Sequence, residues 1–238
     1  MTIENGNSES KIGSLRTEQV DAKYHLLDAM SVTELLQAMN ESDAEVPRAI
    51  ALKLPEIEKA IDGIVDRLLQ GGRLIYLGAG TSGRLGVLDA AECGPTFSVD
   101  ENQVLAFIAG GDDALRNPAE GVEDDPNAGA ADLKAKKVSQ LDAVVGIAAS
   151  GRTPYVIGAL QLAKEIGALT IGLTSNPNSE LSKIVDHPIE IDSGPELLAG
   201  STRLKSGTVQ KLVLNMISTI AMVRLGKTYG NLMVDLQV

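Results

Sequence analysis

Five short apolar runs, each followed by a Gly/Ser/Thr-rich turn and a helical stretch, constrain this chain more than any other feature. The runs are Leu74–Leu77, Val104–Ala109, Ala143–Ala148, Leu169–Leu173 and His187–Ile191. Helical patterns lie between them at Arg84–Ala91, Ala128–Lys137, Pro154–Ile166 and Ser179–Val185. The runs are continuous rather than alternating, so both faces of each strand should be covered. Alternating strand and helix imply a parallel sheet with right-handed crossovers and helices on both sides. The expected fold class is α/β: a three-layer αβα sandwich on a five-stranded parallel sheet, preceded by further helices.

Those helices fall between Ser31 and Gln70. Ser31 can cap the first, and Glu34 three residues later completes a capping box. Ile50, Leu54, Ile57, Ile61, Ile64, Val65 and Leu68 then recur at helical spacing, and Gly71-Gly72 stops the pattern. A second strong helix runs from Ser206 to Leu225. Val209, Leu212, Val213, Met216, Ile217 and Ile220 form its apolar face, with Ser206 as the expected cap and Gly226 as the stop. Residues 1–13 read as a polar frayed tail. The closing stretch NLMVDLQV is apolar, which suggests a continuation or, alternatively, a terminal strand or docked segment.

Composition narrows the partners. Lys and Arg number 21 against 32 Asp and Glu, a net charge of 21 − 32 = −11. Such a balance disfavours a nucleic-acid phosphate backbone. Aromatic residues make up only 3% of the chain, too few for base-stacking platforms. A lone cysteine, Cys93, allows no internal disulfide and fits a reducing compartment. No apolar run reaches the ~20 residues of a membrane span. The expectation is a cytoplasmic protein with no membrane or nucleic-acid partner.

Three loops look suited to an anion. The first, Gly78-Ala79-Gly80-Thr81-Ser82-Gly83-Arg84, matches G-x-G-x-x-G between a strand and a helix. A dinucleotide site would also want an acid closing the second strand. That strand ends in Ile108-Ala109-Gly110-Gly111 before Asp112, so a dinucleotide is set aside and no cofactor is expected. The second loop is Ser150-Gly151-Arg152-Thr153, with Pro154 at the favoured first helical position. The third, Gly200 to Thr208, brings Ser201, Arg203 and Lys205 to the start of the long helix. Singly, each loop reads more readily as turn and cap chemistry. Together, at the carboxyl edge of one sheet, they suit a phosphorylated sugar.

The runs LIYLGAGTSGRLGVLDAAECGPTF, IAGGDDALRNPAEGVEDD, GIAASGRTPYV, GLTSNPNS, GPELLAGSTRLKSGT and GNLMVDLQV, in that order, closely resemble the N-acetylmuramic acid 6-phosphate etherases, enzymes with a sugar isomerase (SIS) domain. The resemblance runs from about Arg73 to Val238. It departs at Gly94, where relatives commonly have Pro, and is looser over the first 30 residues. It implies an N-terminal tail and helical segment over 1–63, an SIS domain over 64–227, and over 228–238 the start of a helical C-terminal region. It also implies a homodimer with its site near the subunit interface, and no metal.

The implied reaction releases D-lactate from N-acetylmuramic acid 6-phosphate and leaves N-acetylglucosamine 6-phosphate. A C3 ether leaves readily only from the open-chain aldehyde, whose C2 proton is acidic. One group must take that proton and another must protonate the departing oxygen. Water then adds to the unsaturated aldehyde. By resemblance Glu123 is the C2 base and Glu92 the proton donor. On residues alone, Glu92 reads as an ordinary helix-end acid and Glu123 as one of a solvated acidic run. The substrate-binding set is Gly80, Thr81, Ser82, Ser150, Gly151, Arg152, Thr153, Glu196, Ser201 and Lys205, with Glu196 in a positioning role and Arg84 as a possible aid. His25 and His187 do not suggest a metal site, and Cys93 reads as a packing residue. A phosphosugar aldose–ketose isomerase and a non-catalytic sugar-phosphate sensor are the alternatives on the same fold.

Overall fold

The computed structural model describes residues 15–234. The expected tail at 1–13 and the last four residues of NLMVDLQV lie outside them. Five parallel strands form one sheet: β1 (Leu74–Gly78), β2 (Val104–Ile108), β3 (Ala143–Ile147), β4 (Leu169–Thr174) and β5 (His187–Glu190). Their order is β2-β1-β3-β4-β5. The central β1 and β3 are buried at every residue, which is why their sequences do not alternate.

Among the described residues three α-helices precede the sheet: α1 (Val32–Asp43), α2 (Val46–Ala51) and α3 (Leu54–Leu69). The capping box at Ser31 and Glu34 is formed. The apolar pattern expected to run unbroken from Ile50 is instead divided between α2 and α3. Pro47 and Pro55 each sit in a first turn, where their missing N–H costs nothing, and so each restarts a helix. The expected division at 63/64 falls inside α3. That helix buries Ile57, Ile61, Ile64 and Leu68 in the same core as β1 and β3, so the N-terminal helices and the sheet share one interior.

The remaining helices are α4 (Gly80–Phe97), α5 (Asp113–Arg116), α6 (Pro126–Ala135), α7 (Pro154–Ile166), α8 (Glu180–Ile184) and α9 (Lys205–Arg224). Helices α3, α4 and α9 cover one face around Tyr76, Val145, Ile171 and Ile217. Helices α6, α7 and α8 cover the other around Ile75, Val144, Leu133, Val156 and Leu181. A short antiparallel pair, β6 (Thr228–Tyr229) and β7 (Leu232–Met233), follows α9. No helix among the described residues is long and apolar enough to cross a membrane.

Two helices differ from the sequence pattern. Helix α4 continues through Pro95 to Phe97, six residues beyond Ala91, and closes on Ser98 in the left-handed region. Ser206 does not cap α9. Glu196 does so from outside, accepting the Lys205 N–H at 2.8 Å and the Ser206 N–H at 2.9 Å on its two carboxylate oxygens.

Candidate functional site

Strands β1 and β3 are neighbours, with Gly78 paired to Ile147 at their carboxyl ends. The crossover from β1 leads to one side of the sheet and that from β3 to the other. Loops leaving such a pair diverge and open a crevice, the usual ligand position in doubly wound sheets. The first two loops flank this crevice.

In the first loop α4 starts hard against β1. A Cβ on Gly83 would stand 2.7 Å from the Gly78 carbonyl oxygen, so only glycine permits this approach. Gly80 has φ +52° and open space around it. No side chain caps α4, and its first N–H groups at Gly80, Thr81 and Ser82 face the crevice end of the helix. Ser82 is buried and Thr81 half-buried. Uncapped N–H groups and two hydroxyls at a helix start form an anion receptor. The Arg84 guanidinium is committed elsewhere, donating to the carbonyls of Leu115 (3.0 Å) and Ala114 (2.7 Å) and so holding α5 beside the loop.

In the second loop Gly151 has φ +67°, and a Cβ there would meet Ser179 at 2.3 Å. Its carbonyl accepts the Leu181 N–H, which ties the loop to α8. Ser150 Oγ accepts the Arg152 N–H at 3.3 Å and keeps its own proton to donate. Arg152 is half-buried, with its Nε 3.7 Å from Glu180. Thr153 begins α7 with no side-chain bond to the helix.

Glu123 joins the two loops. Its carbonyl accepts the Tyr155 N–H at 3.0 Å, so its backbone caps α7. Its side chain is exposed and borders two cavities. One, of about 230 Å³, is shared with Gly80, Arg84 and Val122. The other, of about 250 Å³, is shared with Ser150, Arg152 and Thr153.

The remaining expected residues lie apart from this pair of cavities. Glu92 is exposed on α4, twelve residues beyond Gly80. At 1.5 Å per residue that is about 18 Å along the helix. Glu196 is buried, and both of its oxygens are used as the α9 cap. Lys205 is buried too, donating from Nζ to Glu45 (2.9 Å) and to the Ser193 carbonyl (2.7 Å). Ser201 is half-buried in the turn before α9, where its carbonyl accepts the Leu204 N–H. The third loop therefore differs from the first two: a carboxylate of the protein already occupies its helix start.

One contributor escaped the sequence reading. The segment Leu15–Glu18 crosses the carboxyl edge of the sheet. The Arg16 N–H donates to Asn176 Oδ1 at 2.7 Å, Asn176 Nδ2 donates to Thr17 Oγ1 at 3.2 Å, and the Gly200 N–H donates to the Thr17 carbonyl at 3.0 Å. Arg16 Nε also pairs with Asp192 at 2.8 Å. Leu15 and Glu18 wall the cavity that holds Glu123 and Ser150. Its anchors lie some 160 residues away or more, so local periodicity carried no sign of it.

Comparison with known proteins agrees with this fold. Residues 56–164 match the glucokinase regulatory protein N-terminal SIS domain, and residues 122–220 match the SIS domain. A phosphosugar isomerase from Bacteroides fragilis, described as putative and involved in capsule formation, superimposes with a TM-score of 0.61 at 20% identity, covering 86% of this chain and 98% of that one. That likeness bears on the fold. The sheet order and its covered faces define an SIS-domain protein.

The sequence places it more narrowly. It is 58% identical over 229 residues to an N-acetylmuramic acid 6-phosphate etherase of Rubrobacter xylanophilus, spanning 96% of this chain and 76% of that one. It is 54% identical over 228 residues to the etherase of Streptomyces coelicolor, spanning 96% and 73%. The chain belongs to the N-acetylmuramic acid 6-phosphate etherase family.

Proposed function

We propose that this protein cleaves the D-lactyl ether of N-acetylmuramic acid 6-phosphate to give N-acetylglucosamine 6-phosphate and D-lactate, as a carbon–oxygen lyase. The observation that carries the reading is the position of Glu123, exposed between two anion-receiving loops and bordering both cavities. The phosphate is held by the α4 N–H groups with Thr81 and Ser82, and by Ser150, Gly151 and Thr153. Arg152 adds a cation to this loop. No basic surface is needed, because local dipoles suffice for one phosphate group.

In the open-chain aldehyde Glu123 removes the C2 proton. The electron pair forms the C2–C3 double bond as the C3–oxygen bond breaks. Glu92 protonates the departing lactate oxygen. Water then adds at C3, giving up a proton to Glu92 while C2 recovers one. Within one protomer Glu92 stands some 18 Å of helix from the loop beside Glu123. The two glutamates act together when a second protomer presents its α4 to this crevice, so the working unit is a homodimer with composite sites. Glu196 and Lys205 serve indirectly, by fixing the start of α9 against the first loop.

A coupled D-lactate assay tests this. Wild type releases lactate from the phosphorylated substrate. Glu123→Gln, which keeps shape and hydrogen bonding, loses roughly 10²–10⁴-fold in kcat with an unchanged unfolding midpoint. Lactate release at the wild-type rate by Glu123→Gln sinks the base assignment.

A further inference from the structure

The strap Leu15–Glu18 places a carboxylate in the site that the mechanism does not use. Glu18 borders the same 250 Å³ cavity as Glu123, Ser150, Arg152 and Thr153. Its position is fixed by the strap rather than by its own side chain. Thr17, its neighbour, is 2% exposed and bonded on both sides, to Asn176 and to Gly200. Gly200 has φ +78°, and a Cβ there would lie 3.1 Å from Glu18 Oε2, so the carboxylate rests directly on that turn.

Glu18 is also uncommitted. Among the described residues no cation pairs with it, and its one side-chain bond is a long 3.4 Å contact from the Thr17 hydroxyl. A half-buried carboxylate held in place without a cation has free acceptor lone pairs. The cavity walls are thus divided by chemistry. Ser150, Arg152 and Thr153 offer donors, which suit a phosphate. Glu18, with Glu123 and Asp124 on the same walls, offers only acceptors, which suit hydroxyl groups.

Resting on the reading above, we infer that Glu18 is a specificity-determining residue that accepts hydrogen bonds from the substrate's sugar hydroxyl groups. The strap Leu15–Glu18 is then the wall that distinguishes a phosphorylated sugar from phosphate alone. Glu18 moves no proton in the reaction. Its contribution is to affinity and orientation at the end of the substrate away from the phosphate.

The test is equilibrium binding by calorimetry on the full 238-residue chain. Two probes are used, N-acetylglucosamine 6-phosphate and inorganic phosphate, against wild type, Glu18→Ala and Glu18→Gln. The expected result for Glu18→Ala is at least a tenfold loss of affinity for the sugar phosphate with phosphate affinity within twofold of wild type. Glu18→Gln, which keeps one acceptor oxygen, falls between. Unchanged sugar-phosphate affinity in Glu18→Ala overturns the inference. So does a parallel loss for both probes, which would mark a strap that merely supports the phosphate loop. Because binding needs no turnover, this outcome is separate from the lactate assay. A wild type that binds the sugar phosphate through Glu18 but releases no lactate refutes the lyase reading alone.

Discussion

Asp142 sits at the amino end of β3 and is 1% exposed. Arg73, at the start of β1, grips it with Nε (2.9 Å) and Nη2 (2.7 Å), and the backbone N–H groups of Arg73 and Ser139 donate to it as well. Burial pushes this carboxyl up. The guanidinium and the N–H groups outweigh burial and leave it below the ordinary aspartate value. A folded value below the unfolded one, about 3.9, means the bridge stabilises fully above that pH and loses its contribution as pH falls through the folded value. The gap in urea midpoint between wild type and Asp142→Asn should therefore hold steady from about pH 7 to 5 and narrow below about pH 4. A gap that stays constant down to pH 3 contradicts this. Cys93 is a contrasting case: burial, then the nearby Asp89 charge, pushes its thiol up to about 12, so it packs rather than reacts. Site residues divide by the same logic. Ser82, Ser150 and Thr153 stand out in the sequence only as a set, because singly a hydroxyl beside glycines at a strand end serves a turn or a helix cap just as well. Glu123 was one acid among several on sequence alone; in the structure it borders both cavities, whereas Asp124 borders only the one with Ser150 and Glu120 borders neither.

At the scale of elements, the strands and most helices were legible because each carries its own signal in apolar runs, first-turn prolines and glycine stops. Pro154–Ile166 matches to the residue. The α9 cap was not legible, since its donors and acceptor are nine and ten residues apart in an irregular loop. Helix crossings are likewise silent in a single sequence. Where α6 meets α7, a Cβ on Gly158 would lie 2.1 Å from the Pro126 carbonyl oxygen, and one on Gly129 would lie 2.1 Å from that of Tyr155. The two backbones touch, and the second loop leads directly into α7. Gly158→Ala should cost about 1–3 kcal/mol through overpacking, despite alanine's better helix propensity. Gly94→Ala, in α4 with nothing within 4 Å of its Cβ, should instead be neutral or stabilise by up to about 1 kcal/mol. Thermal unfolding of the two variants checks the contrast, and equal shifts of the same sign would refute the close-crossing account.

At the scale of the whole molecule, the placement of the two glutamates on different parts of one protomer is the fact a mechanism must answer. Glu123 borders the loops at the carboxyl edge of the sheet, whereas α4 carries Glu92 back toward the opposite edge, where its neighbours Ala91, Gly94 and Pro95 line a groove with Val104, at the amino end of β2. Glu92 lies twelve residues, about 18 Å of helix, beyond Gly80 at the loop, and rotating a side chain cannot span that length, since even an extended glutamate reaches only a few ångströms beyond its helix. A composite site makes a quantitative prediction. If the proposed homodimer holds composite sites, Glu92→Gln and Glu123→Gln homodimers should each lose roughly 10²–10⁴-fold in activity. Mixed in equal amounts and allowed to exchange subunits, half of the dimers become heterodimers, and each heterodimer pairs one intact Glu123 with the partner's intact Glu92 while its other site carries both lesions. One site in two is restored in half of the dimers, so the mixture should recover about one quarter of wild-type activity per protomer. If both glutamates served the same protomer, every site in the heterodimer would keep one lesion and mixing would restore nothing. Lactate release after denaturation and joint refolding of the two variants, with each variant refolded alone as the baseline, separates the two arrangements.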